Sequence, residues 1–375
     1  MSHVADVELI DHHCHGVVRR DLDRGSFESL LTEAGAPGAA APSVFDSQIG
    51  FALRRWCPPV LDLPEHGALD DYLSRRAELG WEEVTRRLLA AAGAAAYLVD
   101  SGFEPEPITS LADLNAITGA PAYEVVRLER LAEEAVLSGA SAAGFAEEVR
   151  RLLWDRTREA VAVKSIAAYR VGLDLSPDRP TDAQVIGAAD RWLGEVEATE
   201  EVRCADEVLT RFLLWEALDR RLPIQLHVGL GDSGTDLRVG DPLLLTPFLR
   251  ATETSGVPLL LLHNYPFHRH AGYLAQVFPH VYADVGLALH NVGPAAGRVL
   301  AELLELAPFG KVLFSTDAFG LPELYLLGTV LFRRALAGFL TGGVRSGDWT
   351  AADAARVATM IGSGNARRAY ALDRP

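Results

Sequence analysis

Residues 223–263 have the sequence PIQLHVGLGDSGTDLRVGDPLLLTPFLRATETSGVPLLLLH. A short apolar run, Ile224–His227, is followed by a helical pattern over Pro242–Thr252 and then by a second apolar run, Pro258–His263. Short apolar runs that alternate with longer amphipathic stretches are typical of βαβ units, in which the two strands lie parallel. This stretch therefore predicts an α/β fold with a parallel sheet.

The same alternation extends along the whole chain. Eight segments have the length and the apolar character of buried strands. They are Val7–His12, Ala95–Val99, Glu124–Leu128, Val161–Ala168, Ile224–His227, Pro258–His263, Val281–Val285 and Lys311–Ser315. Eight parallel strands with intervening helices close a (β/α)8, or TIM, barrel. We therefore predict one barrel domain over residues 1–375.

The spacing of these strands is uneven. About 80 residues separate the first predicted strand from the second, far more than one helix and its loops require. We predict a helical insertion over about residues 20–92, and an extra C-terminal helix over Ala351–Ile361. An insertion that follows a barrel strand lies over the C-terminal face of the barrel, where active sites form.

Composition excludes several classes of function. Among 375 residues, 51 are acidic and 35 are basic, which gives a formal net charge of −16. So acidic a chain repels the nucleic-acid backbone, and we expect no nucleic-acid partner. The apolar runs are too short to span a membrane, so we expect no membrane partner either.

Cysteine usage and the N-terminal sequence bear on the cellular compartment. The three cysteines are few and scattered, which favours a reducing environment over a disulfide framework. The N-terminal stretch MSHVADVELIDHHCHG has neither the basic region nor the apolar region of a signal peptide. We expect a cytoplasmic protein.

Metal-binding side chains stand where several predicted strands end. His13 and His15 end the first strand two residues apart, so strand alternation points them to the same face. His227 and His263 close two further strands, and Asp317 follows the eighth. A lone HxH pair is a weak signal, because it is short and common. Together, however, these residues predict a metal site, since a metal satisfies imidazole and carboxylate groups that are costly to bury.

Lys164 lies inside the fourth predicted strand and has two interpretations. It can form a buried ion pair with an acid. Alternatively, its pKa is lowered enough for the amine to react with carbon dioxide, which would make an anionic oxygen ligand for two metals. The sequence alone does not separate these two interpretations.

Four residues are candidates for binding substrate, and each has a structural alternative. Arg170 follows Lys164 on the predicted strand and would bind a carboxylate, or else form a salt bridge with a loop acid. Asp232 would orient a ligand or cap the next helix. Tyr265 follows His263, and Trp56 would form a wall of the site from within the insertion or else pack in the core.

These residues together resemble the amidohydrolase superfamily, in its amidohydrolase-2 branch. The resemblance covers nearly the whole chain and is nearest to the nodulin/FluG-type domain. It is carried by IDHHCH (10–15), KSIAAYR (164–170), HVGLGD (227–232) and STDA (315–318).

The resemblance implies a role for each metal-binding residue. By position, His13 and His15 would hold one metal, and His227 and His263 a second. Carboxylated Lys164 would bridge the two metals. Asp317 would bind the first metal and act as the catalytic proton acceptor. The cofactor would be one or two divalent ions of zinc, manganese or iron.

The function implied is hydrolysis of a small-molecule amide, lactam or related C–N or C–O bond by metal-activated water. The alternatives are non-hydrolytic reactions at the same two-metal site, namely di-iron oxygenation (a hydroxylase) or decarboxylation, and a non-catalytic metal-binding scaffold. Barrels of this kind often pair, which suggests a homodimer.

Overall fold

A parallel sheet of seven strands in chain order forms the centre of the protein, as seen in a computed structural model that describes residues 6–34, 43–103 and 105–373. Each strand pairs in parallel with the next along the chain. The strands are β1 (Ile10–Cys14), β2 (Ala96–Asp100), β3 (Ala122–Arg127), β4 (Ala162–Ser165), β5 (Ile224–Val228), β6 (Leu259–His263) and β7 (Val281–Ala283). The predicted α/β class and parallel sheet are confirmed.

The eighth predicted strand, Lys311–Ser315, is irregular where a strand was expected. It nevertheless makes backbone hydrogen bonds on both of its sides. The Leu313 amide donates to the Ala283 carbonyl of β7 at 3.1 Å, and the His12 amide of β1 donates to the Phe314 carbonyl at 3.1 Å. The segment therefore lies between the first and last strands of the sheet.

Helices fill the intervals between the strands. Several begin at capping boxes, such as the one that Thr181 forms with Gln184. The α-helices are α1 (Arg24–Ser29), α2 (Gln48–Trp56), α3 (Leu69–Leu79), α4 (Trp81–Ala92), α5 (Leu111–Thr118), α6 (Leu128–Leu137), α7 (Phe145–Arg156), α8 (Ala167–Arg170), α9 (Asp182–Thr199), α10 (Glu207–Asp219), α11 (Thr246–Thr252), α12 (His268–Val277), α13 (Gly286–Val292), α14 (Ala296–Leu303), α15 (Pro322–Ser346), α16 (Ala351–Thr359) and α17 (Asn365–Ala369).

The long interval between β1 and β2 contains helices α1 to α4, in the region predicted as an insertion. Residues 35–42 of that region lie outside the described residues. A buried ion pair connects α3 to α15. In this pair, Arg76 Nε donates to Glu323 Oε1 at 2.7 Å. The Tyr72 hydroxyl donates to the same oxygen at 2.7 Å. Glu323, which follows Pro322 in the first turn of α15, therefore has a structural partner.

The fourth strand is shorter than predicted. It ends at Ser165, and the chain then turns into the short helix α8, so the predicted strand Val161–Ala168 is wrong beyond Ser165. Arg170 consequently lies on a helix and does not share a strand face with Lys164. At the C-terminus, the predicted helix is observed as α16, which continues through a π-turn into α17.

Helix α15 is the longest in the described part of the chain, with 25 residues. Its length and mean hydropathy of 1.3 would allow it to cross a membrane, but 61% of its most apolar window is buried inside the protein. Core helices of water-soluble proteins have the same properties, so this helix is weak evidence for a membrane span.

Candidate metal centre

The hydrogen bonds around His13 show which of its two ring nitrogens carries the proton and which carries the lone pair. The side-chain amide of Gln225 donates from Nε2 to the His12 carbonyl at 2.7 Å, and a carbonyl can only accept. Gln225 Oε1 is therefore the atom that faces His13 Nδ1, at 2.8 Å, and it too can only accept. His13 must carry its proton on Nδ1, which leaves Nε2 free to bind a cation.

His15 is oriented in the same way. Its Nδ1 lies 3.1 Å from the backbone carbonyl oxygen of Asp100 and must donate to it. The Nε2 atoms of His13 and His15 then face the same carboxylate oxygen, Asp317 Oδ1, at 3.0 and 3.5 Å. Two lone pairs and a carboxylate oxygen this close together repel one another unless a cation lies between them.

A second pair of histidines faces the other oxygen of the same carboxylate. His263 Nδ1 lies 3.5 Å from Asp317 Oδ2, and the ring of His227 packs 4.5 Å from that of His263. Within the described residues, His227 Nε2 and both ring nitrogens of His263 are buried without a hydrogen-bond partner. Buried polar atoms without partners are costly, and metal coordination would satisfy them.

Lys164 completes a group that we call the strand-end cluster: His13, His15, Lys164, His227, His263 and Asp317. Its Nζ lies 3.4 Å from His13 Nε2, and its side chain is buried. Among the described residues, no carboxylate lies within salt-bridge distance of this amine, so the buried ion pair considered from the sequence is not found there. Burial lowers the pKa of Lys164 to about 8.

Burial also sets the charges of the cluster. It lowers the pKa of His13 to about 4 and that of His227 to about 3, and it lowers the pKa of His263 well below its ordinary value. The three imidazoles are therefore neutral at pH 7, the form that binds metals.

The backbone is strained at two cluster residues. His263 and Asp317 have φ angles of 69° and 53°, in the left-handed region that costs free energy for residues other than glycine. The surrounding structure holds both residues in place. Asp284 Oδ1 accepts from the His263 amide at 2.6 Å, and the Asp317 amide donates to the His13 carbonyl at 2.9 Å. Such strain is typical of functional sites.

A network of buried hydrogen bonds supports the strand-end cluster. The Tyr370 hydroxyl of the C-terminal segment lies 2.8 Å from Gln225 Nε2 and 2.8 Å from His12 Nδ1. His12 Nε2 in turn lies 2.8 Å from Asp284 Oδ2. His12 thus points away from His13, as strand alternation predicts, and has a structural role. Gln225, Asp284 and Tyr370 were not anticipated from the sequence. A glutamine inside the apolar strand IQLH was the one available signal.

A cavity of about 640 Å³ opens over the cluster. Of the four residues predicted to bind substrate, Arg170 and Asp232 line it and Tyr265 and Trp56 do not. The ring of Tyr265 instead stacks on His268 with centroids 5.8 Å apart. Asp232 Oδ1 accepts from the Gly234 amide at 2.7 Å, so it also shapes its own loop.

Trp56 requires a correction as a wall of the site. It lies at the end of α2, where the guanidinium of Arg55 is 4.7 Å and that of Arg334 is 5.3 Å from its ring. The indole thus packs beside arginines of α2 and α15, and Trp56 is not among the residues that line the cavity. Other lining residues include Glu33, Phe103, Arg130, Arg203, His290 and Phe319, of which the first four were not anticipated from the sequence.

The chain belongs to the amidohydrolase family, whose sequence model matches residues 10–372. This match confirms the resemblance to the amidohydrolase-2 branch. The chain is 28% identical to Protein fluG of Emericella nidulans over 97% of its own length. It spans only 46% of that protein, about half of the curated relative.

Solved structures agree with this assignment. A protein from Lactobacillus casei ATCC 334, described as a metal-dependent hydrolase, matches with a TM-score of 0.86 and 29% identity, covering 100% of this chain and 97% of its own. A uronate isomerase from Bacillus halodurans shares the fold at a TM-score of 0.66 and 15% identity, covering 99% of this chain and 94% of its own. The chain therefore belongs to a family of enzymes and has a barrel-like fold. Its clustered histidines and Asp317 are suited to bind a divalent metal.

Proposed function

We propose that this protein is a metal-dependent hydrolase that cleaves an amide, lactam or related C–N or C–O bond in a small molecule. One observation carries the proposal: the Nε2 lone pairs of His13 and His15, with tautomers set by the protein, both face Asp317 Oδ1, and His13, His263 and Asp317 offer ligand atoms within 4.8 Å of one another. The family and the Lactobacillus casei relative support the same class of activity.

The donor set suggests two metal positions. His13, His15 and Asp317 would hold one divalent ion, and the unpartnered nitrogens of His227 and His263 would hold another. Such an ion polarises a carbonyl group and lowers the pKa of bound water towards neutrality.

In this proposal Lys164, as a carbamate, would supply a ligand shared by the two positions. In that reaction the uncharged amine forms an N–C bond with carbon dioxide and releases one proton. The product is an anionic ligand with two oxygens, which suits a lysine that is buried without a carboxylate partner.

Asp317 is the catalytic residue in this proposal. Its Oδ1 faces His13 and His15, and its Oδ2 faces His263. In this role it would accept a proton from the attacking water and pass it to the leaving group. The cavity above it is large enough for a small-molecule substrate.

We further infer that the irregular segment 311–317 takes the place of the eighth strand in a (β/α)8 barrel. Its hydrogen bonds to β7 and β1 support closure, although it lacks regular strand geometry.

A di-iron oxygenase is the second candidate. The cluster offers only imidazole, carboxylate and lysine donors, and this set suits iron as well as zinc or manganese. The identity of the bound metal and the uptake of oxygen distinguish the two candidates.

The test is to measure the metal content of protein purified anaerobically without chelator, together with oxygen uptake. About two zinc or manganese ions per chain, with hydrolysis of an amide or lactam and no oxygen uptake, would support the proposal. Iron at that stoichiometry with substrate-dependent oxygen uptake would replace it with the oxygenase. Absence of bound metal would overturn both.

A further inference from the structure

The cavity over the strand-end cluster has a basic side. Three arginines line it: Arg130, Arg170 and Arg203. In the sequence, Arg130 follows β3, Arg170 follows β4 and Arg203 precedes β5. These strands are neighbours in the sheet, so the three guanidinium groups lie on the same side of the cavity. In a protein of net charge −16, such a grouping runs against the overall charge.

These arginines are incompletely neutralised within the described part of the chain. Arg203 donates to the Tyr169 carbonyl at 2.9 Å and has no carboxylate within salt-bridge distance. Arg170 pairs with Glu133 at 3.0 Å, and its Nη1 is buried without a partner. Arg130 lies 3.8 Å from Glu133 and 4.0 Å from Glu134. Of the three arginines, Arg203 is therefore the one without a carboxylate within salt-bridge distance among the described residues.

A neighbouring arginine shows the contrast. Arg127 also lines the cavity, but its Nη2 and Nε donate to Asp100 Oδ2 at 2.6 and 3.1 Å. Its pairing orders the wall and leaves no unmatched charge. The unmatched positive charge is therefore that of Arg203, and the buried Nη1 of Arg170 adds a donor without a partner among the described residues.

The basic side adjoins the strand-end cluster. The ring of Tyr169 packs 4.5 Å from that of His227, and Arg203 holds the backbone carbonyl of the same tyrosine. Tyr169 therefore contacts both Arg203 and the cluster residue His227, and all three line the same cavity.

The side of the cavity near β1 and β2 is aromatic. Phe103 and Phe319 have ring centroids 4.8 Å apart, and both pack against His15, at 5.7 and 6.0 Å. These rings offer an apolar surface beside the cluster, opposite in character to the arginines.

We propose that the substrate carries a carboxylate, which Arg170 and Arg203 bind while the bond to be cleaved lies at the strand-end cluster. A carboxylate matches the planar fork of a guanidinium, which donates two parallel hydrogen bonds to it. This inference rests on the proposed function for the identity of the reacting group. The anion subsite itself does not depend on turnover.

The test compares benzoate with benzamide, which have similar size and an apolar ring but differ in charge. Binding is measured by calorimetry on metal-stripped protein and again on metal-loaded protein, because a carboxylate can also bind a metal. We expect metal-stripped protein to bind benzoate at least about tenfold more tightly than benzamide. We also expect this preference to shrink as salt is raised.

The variant R203Q should lose most of the preference for benzoate, and R170Q should lose it as well. Arg203 is exposed, so R203Q should fold even if R170Q, which disturbs Glu133, does not. The matched control is R238Q, because Arg238 is 89% exposed, pairs with Asp236 and is not a lining residue. It should bind benzoate as the unaltered protein does.

Two results would overturn the inference: equal binding of benzoate and benzamide by the metal-stripped protein, or unchanged benzoate binding by both R203Q and R170Q. Hydrolysis of neutral amides without any preference for benzoate would refute the anion subsite and leave the proposed function standing. A preference for benzoate in a protein without hydrolytic activity would support the anion subsite and refute the proposed function.

Discussion

The two histidine pairs of the strand-end cluster differ in how the protein holds them. His13 and His15 of β1 each donate Nδ1 to a protein acceptor, so their Nε2 lone pairs are aimed before any metal arrives. Both ring nitrogens of His263, from the other pair, lack such partners within the described residues. His263 is instead held through its backbone, by the hydrogen bond from its amide to Asp284.

For the two metal positions proposed above, this difference predicts unequal affinities. Ligands whose tautomer and direction are set by outer hydrogen bonds bind metals more tightly than ligands without them. The position at the β1 pair should therefore fill first. The position at the β5 and β6 pair should depend more on the metal itself and on Lys164.

The largest effect is expected at the carboxylate that the two pairs share. Asp317→Asn keeps the size of the side chain but removes its charge and its capacity as a proton acceptor. We expect kcat for the hydrolysis of a genuine substrate to fall by about 10²- to 10⁴-fold. Asp236→Asn, in the exposed loop after β5, is the control and should retain full activity. Undiminished turnover by the Asp317 variant would refute the role given to that residue.

Metal stoichiometry tests the inequality of the two pairs directly. After dialysis against metal-free buffer, His263→Gln should retain about one ion per chain, because the β1 pair is intact. His13→Gln should retain much less. Metal analysis of both variants in parallel decides the matter. Equal losses would mean that the hydrogen bonds of the β1 pair confer no advantage.

The acceptor behind His13 offers a sharper test. Gln225→Leu removes the oxygen that holds the His13 proton on Nδ1, and we expect metal affinity to fall about 10- to 100-fold. Gln225→Glu keeps an acceptor at that position and should recover much of the loss. Competition with a chromogenic chelator measures both affinities. A loss of equal size in the two variants would show that general disruption, and not orientation of His13, is responsible.

The smallest effect is expected at the far end of the network. Tyr370→Phe removes the hydroxyl that lies between Gln225 and His12, and leaves buried polar atoms unpaired. We expect the free energy of unfolding to fall by about 1–3 kcal/mol, with a smaller change in metal affinity than for Gln225→Leu. Chemical denaturation checks this, with the half-exposed Tyr273→Phe as control. A stability equal to that of the control would remove Tyr370 from the supporting network.

Much of the site was predictable because its geometry follows from a local rule. The C-terminal ends of parallel strands meet at one edge of a sheet, so polar residues at several such ends must lie near one another. His227, His263 and the HxH pair obey this rule. Arg170 was placed near the site for the wrong reason, because β4 ends at Ser165 and a short helix carries the arginine to the cavity.

The supporting residues could not be predicted in the same way. Gln225, Asp284 and Tyr370 act through hydrogen bonds to partners that are distant in the sequence, and such partners leave no periodic signal. Trp56 and Tyr265 show the converse problem. Tyr265 follows His263 closely in the sequence, and Trp56 lies in the insertion that was predicted to cover the site. Each nevertheless packs against side chains outside the cavity.

The sequence by itself determined the α/β alternation, the parallel sheet and the set of candidate metal ligands, because hydrophobic periodicity and position along a strand are local properties. Tertiary structure decided which imidazole nitrogens carry protons, which arginines remain without a carboxylate, and how an irregular eighth segment joins the two edges of the sheet. These depend on which acceptors and charges approach each group in space. Only the folded chain brings His13 to Gln225 and Arg203 to the cavity.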